Sequence, residues 1–523
     1  MTETNLPGTA APAASTAGHE NKAPAGEPSE VRHEPSGGAQ HWHEHETPVG
    51  EPRDVRRAHA GSAHDDGHGH DQAHTHSDRA DACAPAASAR TVAEQLAVIL
   101  ADLKPLVPVR VSLDAARGLV LAEDVLSATD TPPFDNSAMD GYAVIRADLL
   151  GASAQNPISL PVVADLAAGT AENPHLMPGQ VARIMTGAPI PDGADAVVPI
   201  EDTDQATDRV TIVRAPTAAA HVRRAGEDAH AGDRVLGAGS VLWPTRVAAA
   251  ASAGTSSVLV HPAPRVAVIS TGSELVTPGS PTRRGQIPDS NSFLLAAAVT
   301  EAGGVAIRVG AVPDDDDTLR ALLTDLAGTV DVIVLSGGVS VGAYDVVKAV
   351  LQPLGTVHFG PVKMQPGKPQ GFGRWPATEN VPGPLIFALP GNPVSAYVSF
   401  EVFVRPALRR LLGHGPDIRS GTSTDHPELH RRTITATVAA GWNSPPGRAQ
   451  YMPVIVTHSA DSGTETGVRT GTDGTHIEVR PASRGGSGSH LVAGLAQATG
   501  LAIVSEDTTH VRGGDLITVM LTS

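Results

Sequence analysis

Three glycine-bearing turns, each at the end of an apolar run, are the features of this sequence best suited to holding an anion. They read STGSE at 270–274, SGGVS at 336–340 and PGNP at 390–393. Glycine lets backbone N–H groups approach an anion, and the start of the following helix adds a favourable field. The turns predict a phosphate-binding face, although ordinary strand-to-helix connections have the same composition. The second and third turns supply Ser336, Gly337, Gly338, Ser340, Pro390, Gly391, Asn392 and Pro393.

Two lysines lie between the second and third turns, in the segment VKMQPGKPQGFG. Lysine is a compact point charge suited to phosphate. On their own, Lys363 and Lys368 would be ordinary solvated side chains. Their position beside Pro366 and Gly367 favours a role in ligand binding.

Four carboxylates stand in turns or just beyond strand ends: Glu274, Asp289, Asp314 and Asp345. Mg²⁺ prefers carboxylate oxygens and commonly bridges to substrate phosphates. Asp289, Asp314 and Asp345 are therefore the candidate metal ligands. The alternative is structural, with Asp289 and Asp345 capping helices and Asp314 lying in an acidic surface run.

Three further polar segments precede or follow short apolar strands: FDNSAMDGYA at 134–143, RIMTGAP at 183–189 and RRAGED at 223–228. Each combines a carboxylate, a hydroxyl or an arginine with glycine. Any one of them could be only a turn. Together they predict a second wall of a cleft.

The elements that must position these residues change character at Arg265. From 265 to 413, apolar strands alternate with helical segments, which predicts an α/β domain with a parallel-type sheet covered on both faces. Ligands of such sheets bind at the carboxyl ends of the strands, where the glycine turns lie.

The regions on either side are predicted to be β-rich. Residues 90–264 begin with a helix and continue as short Val/Ile runs between turns, and 414–523 contain a Gly/Ser/Thr segment from Ser459 to Ser489 that resembles a flexible loop. Residues 1–89 hold eleven of the 23 histidines and no apolar periodicity, so they are predicted to be disordered. This extension is either a solvated tail or a metal-buffering one.

Composition excludes several classes of protein. A net charge of -18 argues against nucleic-acid binding, which requires basic surfaces. The single cysteine, Cys83, excludes intrachain disulfides and cysteine-rich metal sites. The first residues lack the apolar core of a signal peptide, and no apolar run is long enough to span a bilayer, so a cytoplasmic protein is expected.

Eight motifs together resemble one family. In order, they are FDNSAMDGYAV, RIMTGAPIPDGADAVVPIED, RRAGED, STGSEL, GQIPDSN, SGGVSVGAYD, PGKP and LPGNPVSA. This order is similar to that of the molybdopterin molybdenumtransferases, the MoeA family, which includes the enzymatic domain of gephyrin. Each motif alone is weak, but eight in one order are specific. The resemblance covers roughly residues 91–523.

The resemblance implies a multidomain homodimer. Each protomer would have an extended connector domain, a β-rich domain, a central α/β molybdopterin-binding-like domain and a C-terminal β-barrel. The family takes adenylylated molybdopterin and molybdate, uses Mg²⁺ and releases AMP. Molybdenum ends on the dithiolene sulfurs of the pterin, so protein thiolates are not needed. The adenylylating enzyme and molybdoenzyme acceptors are further possible partners.

The resemblance also implies roles for residues that match its motifs. Catalytic roles fall to Asp140, Asp228, Glu274 and Asp345, and the β-rich wall would meet the α/β wall of the other protomer. Gln365 departs from the family, which usually has lysine there, and Lys363 is expected to supply the missing charge. The additional substrate-binding residues are Thr186, Arg223, Ser395 and Arg448.

Three other functions compete with this one. The adenylylating enzyme of the same pathway has a similar α/β domain, but it lacks the two motifs of the β-rich wall. A scaffold that only clusters partners would not need the set of carboxylates. Metal storage would depend on the histidine-rich extension alone.

Overall fold

A computed structural model describes residues 89–339, 345–377, 382–415, 428–459, 476–483 and 488–522. Residues 1–88 of the histidine-rich extension and the predicted ligand Ser340 lie outside the described residues. None of the described helices is long and apolar enough to cross a membrane.

Helix α1 (Val92–Leu100) begins at Val92 because Thr91 and Glu94 form a reciprocal cap. The Thr91 hydroxyl accepts the Glu94 N–H at 3.2 Å, and the Glu94 carboxylate accepts the Thr91 N–H at 2.8 Å. The elements that follow up to residue 261 are mostly short strands, as predicted. They are α1 (Val92–Leu100), β1 (Val109–Ser112), β2 (Val120–Leu121), β3 (Val125–Leu126), β4 (Asn136–Ser137), β5 (Gly141–Val144), β6 (Ile158–Leu166), β7 (Val181–Ile184), β8 (Ala196–Pro199), β9 (Arg209–Ile212), β10 (Val222–Arg223), β11 (Arg234–Leu236), α2 (Pro244–Ser252) and β12 (Ser257–His261).

These strands form two bodies. The connector contains the antiparallel sheet β1-β12-β2, with α2 and the pair β3-β11 packed on it. The β-rich domain contains the sheet β8-β5-β7-β6-β9. Its interior strand β5, between β8 and β7, is buried on both faces, with Tyr142 and Val144 in one core and Ala143 in the other.

The α/β domain alternates strands and helices as the sequence predicts. Its elements are β13 (Arg265–Thr271), β14 (Leu275–Val276), β15 (Ile287–Pro288), α3 (Asn291–Glu301), β16 (Val305–Val312), α4 (Asp316–Leu326), β17 (Val332–Ser336), α5 (Val346–Leu351), β18 (Val357–Pro361), β19 (Met364–Gln365), β20 (Pro369–Arg374), β21 (Leu385–Leu389), α6 (Pro393–Ser399) and α7 (Arg405–Leu411).

The main sheet has the order β16-β13-β17-β21-β20-β18. The first four strands are parallel, and the last two run antiparallel to their neighbours. The antiparallel edge exists because β18, β20 and β21 follow one another without an intervening helix, so they pair as a meander. Helices α3, α6 and α7 cover one face, and α4 and α5 cover the other.

The C-terminal domain is a closed five-stranded barrel, which confirms the expected fold class. The ring runs β24-β25-β22-β28-β26 and closes from β26 back to β24. Strand β19 of the preceding domain extends it by pairing with β24, so the two domains share a sheet. The elements are β22 (Thr433–Val438), β23 (Trp442–Asn443), β24 (Ala449–Ser459), β25 (His476–Pro481), α8 (Val492–Gln497), β26 (Gly500–Val504), β27 (His510–Val511) and β28 (Leu516–Leu521).

The expectation of a flexible loop from Ser459 to Ser489 is wrong for two parts of that segment. Residues 476–481 form β25, because Ile477 and Val479 alternate with polar residues in a strand pattern. Residues 488–490 lie against the α/β domain. The abundance of Gly, Ser and Thr obscured both features.

A partly buried ion cluster fastens the barrel to the α/β domain. Glu401 is 1% exposed and accepts two hydrogen bonds from Arg431, at 2.8 and 2.9 Å. Arg431 precedes β22 and also donates two hydrogen bonds to Glu301, at 2.6 and 2.8 Å. These bonds hold the pKa of Glu301 below its usual value. The barrel is thus tied to the domain by one guanidinium shared between two carboxylates.

We expect Arg431→Met to lower the free energy of unfolding by about 3–5 kcal/mol, because buried Glu401 would lose its hydrogen-bonded cation and keep only Arg405, whose Nε lies 3.9 Å away. Urea denaturation followed by circular dichroism measures the loss. Arg432→Met is the matched control, since Arg432 is exposed and should change stability by no more than about 0.5 kcal/mol. Equal losses in the two variants would contradict the role of the cluster.

Candidate active site

The second and third glycine turns meet at the carboxyl ends of β17 and β21. The N–H of Gly337 donates to the carbonyl of Leu389 at 3.1 Å. Gly337 has φ of +106°, and a Cβ there would lie 2.5 Å from the carbonyl oxygen of Thr271. Only glycine fits this position, so the turn brings bare backbone to the sheet edge.

The four candidate carboxylates near this edge differ in their exposure and in their hydrogen bonds. Asp289 is 2% exposed and accepts the N–H of Ser292 at 3.0 Å and its hydroxyl at 2.5 Å. It therefore bonds the first turn of α3 from one residue before the N-cap, Ser290. Asp314 accepts the N–H of Ser273 at 2.9 Å. Glu274 is exposed. The described residues include no group of three or more acidic, histidine or cysteine side chains placed to hold a metal.

Asp345 differs from the other three. It occupies the N-cap position of α5 but makes no capping hydrogen bond with its side chain. Its Oδ2 is buried and has no hydrogen-bond partner within the described part of the chain. The capping interpretation of Asp345 is therefore wrong, and its carboxylate retains an unused buried acceptor.

A separate cleft of about 540 Å³ opens between the α/β domain and the barrel. It collects predicted residues from distant parts of the sequence: Lys368, Ser395 and Arg448, with Gln365 at its side. No aspartate or glutamate is among the described residues that line it. The cleft therefore presents two cations and two hydroxyls without an opposing carboxylate, which suits an anion. It is lined by Met364, Gln365, Pro366, Gly367, Lys368, Ser395, Arg448, Gly488, Ser489 and His490.

Ser489 and His490 were not predicted as site residues. Ser489 is fixed because its hydroxyl accepts from the Asn392 side chain at 2.9 Å and its carbonyl accepts the N–H of Val394 at 3.0 Å. The loop 488–490 of the barrel is thus bonded to the third glycine turn. Polar residues directly before the helical run LVAGLA were the signal available in the sequence.

Lys363 does not line this cleft, whereas Gln365 does. Lys363 is half-buried, and its main chain bonds Arg90 and Ala449 at 2.7 and 2.9 Å. Its charge contributes to lowering the pKa of Glu94, after the hydrogen bonds from Thr91. The structure therefore gives no support to Lys363 as a replacement for the family's usual lysine in this cleft.

The β-rich wall brings two predicted residues together. Asp140 accepts both the N–H and the hydroxyl of Thr186, at 2.7 and 2.8 Å. These bonds, helped by the charge of Arg183, hold the pKa of Asp140 below its usual value. Asp140 is exposed and ionised at neutral pH, so it presents a fixed negative charge to whatever faces the wall.

Arg223 and Asp228 are exposed elsewhere on the same domain. Arg223 is paired in register with Asn136 through β10 and β4. Asp228 lines a different cavity, of about 530 Å³, with Asp233 and Arg234. Within one protomer most of the predicted residues thus form three groups: the sheet edge, the cationic cleft and the β-rich wall. Asp228 and Lys363 lie outside these groups.

The domains and their order match three family models. The MoeA N-terminal region (domain I and II) matches residues 90–254, the probable molybdopterin binding domain matches 267–410, and the MoeA C-terminal region (domain IV) matches 435–522. The arrangement of domains is therefore that of a MoeA-type protein, with a probable molybdopterin binding domain at its centre.

Whole-chain comparisons are more specific. Molybdopterin molybdenumtransferase 2 of Mycobacterium tuberculosis is 42% identical over 436 residues, which is 82% of this chain and 99% of that protein. Molybdopterin molybdenumtransferase 1 of the same organism is 36% identical, over 82% of this chain and 98% of that protein. A crystal structure of a molybdopterin biosynthesis MoeA protein from Pyrococcus horikoshii has a TM-score of 0.65 at 30% identity, covering 83% of this chain and 99% of that one. This chain belongs to the MoeA family of molybdopterin molybdenumtransferases.

We expect Asn392→Ala to loosen the cleft without unfolding the domains. Loss of one hydrogen bond to Ser489, about 1 kcal/mol, should speed amide exchange of Val394 and of the 488–492 loop about fivefold. Hydrogen–deuterium exchange with mass spectrometry measures this change. Asn173→Ala removes a similar hydrogen bond, to the N–H of Asp192, in the β-rich domain and should leave these peptides unaffected. Unchanged exchange in the Asn392 variant would show that the loop is held by other contacts.

Proposed function

We propose that this protein inserts molybdenum into molybdopterin in the biosynthesis of the molybdenum cofactor, taking molybdate and adenylylated molybdopterin and releasing AMP. The observation that carries the proposal is the carboxylate-free cationic cleft beside the third glycine turn. The cleft can hold an oxyanion, and the adjoining glycine turn can hold a phosphate. The two places are connected because the cleft loop 488–490 is bonded to that turn. The relatives named molybdenumtransferases support the same reaction.

Molybdate is the oxyanion substrate in this proposal. It is a dianion, so its site must offset two negative charges within a protein whose net charge is -18. Lys368 and Arg448 supply the two positive charges, and the hydroxyls of Ser395 and Ser489 are available as donors. Gln365 adds an uncharged amide at the position where the family usually has a lysine. This site therefore works with one cation fewer from that segment.

The phosphate-bearing pterin is assigned to the edge of the α/β sheet. The Gly337 and Gly391 turns bring bare backbone together there, at the carboxyl ends of parallel strands. Backbone N–H groups hold phosphate without adding bulk. The residues assigned to this part are Ser336, Gly337, Gly338, Pro390, Gly391, Asn392 and Pro393, with Ser340 from the undescribed segment.

The divalent cation is assigned to Asp345. Its buried Oδ2 lacks a partner among the described residues, whereas the carboxylates of Asp289 and Asp314 already accept N–H groups. Mg²⁺ commonly binds one or two carboxylates and completes its shell with water and substrate phosphate. When bound, it would polarise the phosphoanhydride. Orientation of the substrates and stabilisation of developing charge are the work of the chain's own residues.

A homodimer with a site shared between protomers completes the proposal. Asp140 accepts both of its hydrogen bonds from Thr186 on one oxygen, Oδ1, and the residue is exposed. Its carboxylate can therefore face another protomer. Strand β16, at the edge of the sheet and paired with β13 on its inner side, exposes Val305, Ile307 and Val309, at 50%, 38% and 38%. Such an apolar edge offers a surface for a second copy.

A cytoplasmic location is also part of the proposal. The adenylylating enzyme and molybdoenzyme acceptors are proposed as further partners.

We expect the purified protein to release AMP from adenylylated molybdopterin when Mg²⁺ and molybdate are both present. Lys368→Met should raise the molybdate concentration for half-maximal release about tenfold or more, because a charged hydrogen-bond donor is lost. Chromatography of AMP measures the reaction. Lys104→Met, an exposed lysine outside the cleft, is the matched control. A well-folded wild-type protein that releases no AMP would favour the scaffold function instead.

The shared site predicts complementation between two inactive variants. Asp140→Ala alters the β-rich wall, and Asp345→Ala alters the sheet edge. In a mixed dimer, one site carries both changes and the other carries neither, so about half of the wild-type activity should return. Co-expression with two affinity tags isolates the mixed dimer for the AMP assay. Activity no higher than that of the parent variants would rule out a site shared between protomers.

A further inference from the structure

Asn291, the first residue of α3, joins the two glycine turns at the sheet edge. Its Nδ2 donates to the carbonyl of Gly391 at 2.6 Å and to the hydroxyl of Ser336 at 3.0 Å. The side chain is 8% exposed. Three separate segments of the chain therefore meet on one amide group, which the motif GQIPDSN supplies immediately after Asp289 and Ser290.

The orientation of this amide is fixed by its partners. A peptide carbonyl only accepts hydrogen bonds, so the nitrogen of the side chain must face Gly391. The Oδ1 atom is then directed elsewhere, and it has no hydrogen-bond partner among the residues that the structure describes. Ser270, which is paired in register with Ser336, also has a buried hydroxyl without a described partner. Buried polar atoms without partners are uncommon and mark places where a ligand or a water molecule completes the bonding.

We propose that Asn291 is a positioning residue that sets the spacing of the Gly337 and Gly391 turns for the phosphate-bearing substrate. This inference rests on the proposed function. Gly337 lies between Ser336, held by Asn291, and the Leu389 carbonyl that accepts its N–H. Gly391 is held by the same amide, and a Cβ on it would lie 3.4 Å from the Cα of Gly337. Removal of Asn291 would loosen both turns at once, while the hydrogen bonds of Ser489 to Asn392 and Val394, which hold the cleft loop, would remain.

A positioning role of Asn291 and a merely structural role predict different kinetic changes. A group that positions the ground-state phosphate site changes KM for the pterin substrate, whereas partial unfolding lowers the fraction of active enzyme and hence kcat. Asn291→Ala should raise KM for adenylylated molybdopterin about tenfold, with kcat changed by less than about threefold. The molybdate concentration for half-maximal release should not change. Ser290→Ala is the matched control, because Ser290 is exposed and its side chain does not cap α3.

Calorimetric titration with AMP tests the inference without the reaction. Asn291→Ala should bind AMP about tenfold more weakly than wild type, and Ser290→Ala should bind it equally well. If the alanine variant does not fold, hydrogen–deuterium exchange of the wild-type protein serves as the test instead. Bound AMP should then slow the amide exchange of peptides that contain Gly337 and Gly391. Equal AMP affinity of wild type and variant, a loss of kcat at unchanged KM, or no protection by AMP would each overturn the inference. Failure of the proposed function itself would appear differently, as absence of AMP release by wild-type protein.

Discussion

The site depends on the short turn at 390–393 being held from two sides. Asn291 of α3 bonds the carbonyl of Gly391, and Ser489 of the barrel bonds both Asn392 and the N–H of Val394. Pro390 and Pro393 restrict the backbone at each end of the turn. Because one four-residue turn touches the sheet edge and the barrel loop, the phosphate-type site and the cationic cleft form one continuous frame.

Charge separation is the second constraint on the site. The chain is acidic overall, yet the described residues that line the cleft include Lys368 and Arg448 and no carboxylate. The carboxylates gather instead at the ends of the α/β strands, where the buried Oδ2 of Asp345 has no hydrogen-bond partner among the described residues. An oxyanion and a divalent cation can therefore be held in neighbouring places without the carboxylates repelling the oxyanion from its own pocket.

The sequence predicted the parts of the site that depend on local pattern. The alternation of apolar strands and helices from 265 to 413 indicated the α/β domain, and the glycine turns at its strand ends lie where that pattern placed them. It failed where composition hid the pattern, as in β25 within a Gly/Ser/Thr-rich segment, and where no helix separated successive strands, as at β18 and β20. Strand alternation also suggested that Lys363 could supply the charge missing at Gln365, but Lys363 does not line the cleft, and its main chain bonds Arg90 and Ala449.

By itself, the sequence determined the family, the kinds of element and the chemistry available, because motifs and periodicity are local properties of the chain. Only the tertiary structure decided which of those residues meet. Lys368, Arg448 and Ser489 are far apart in the chain and come together because β19 joins the barrel sheet and Ser489 docks on α6. The same holds for Asn291, whose two partners lie on different turns. Contacts of this range depend on packing and on satisfying buried polar groups, and no local pattern encodes them.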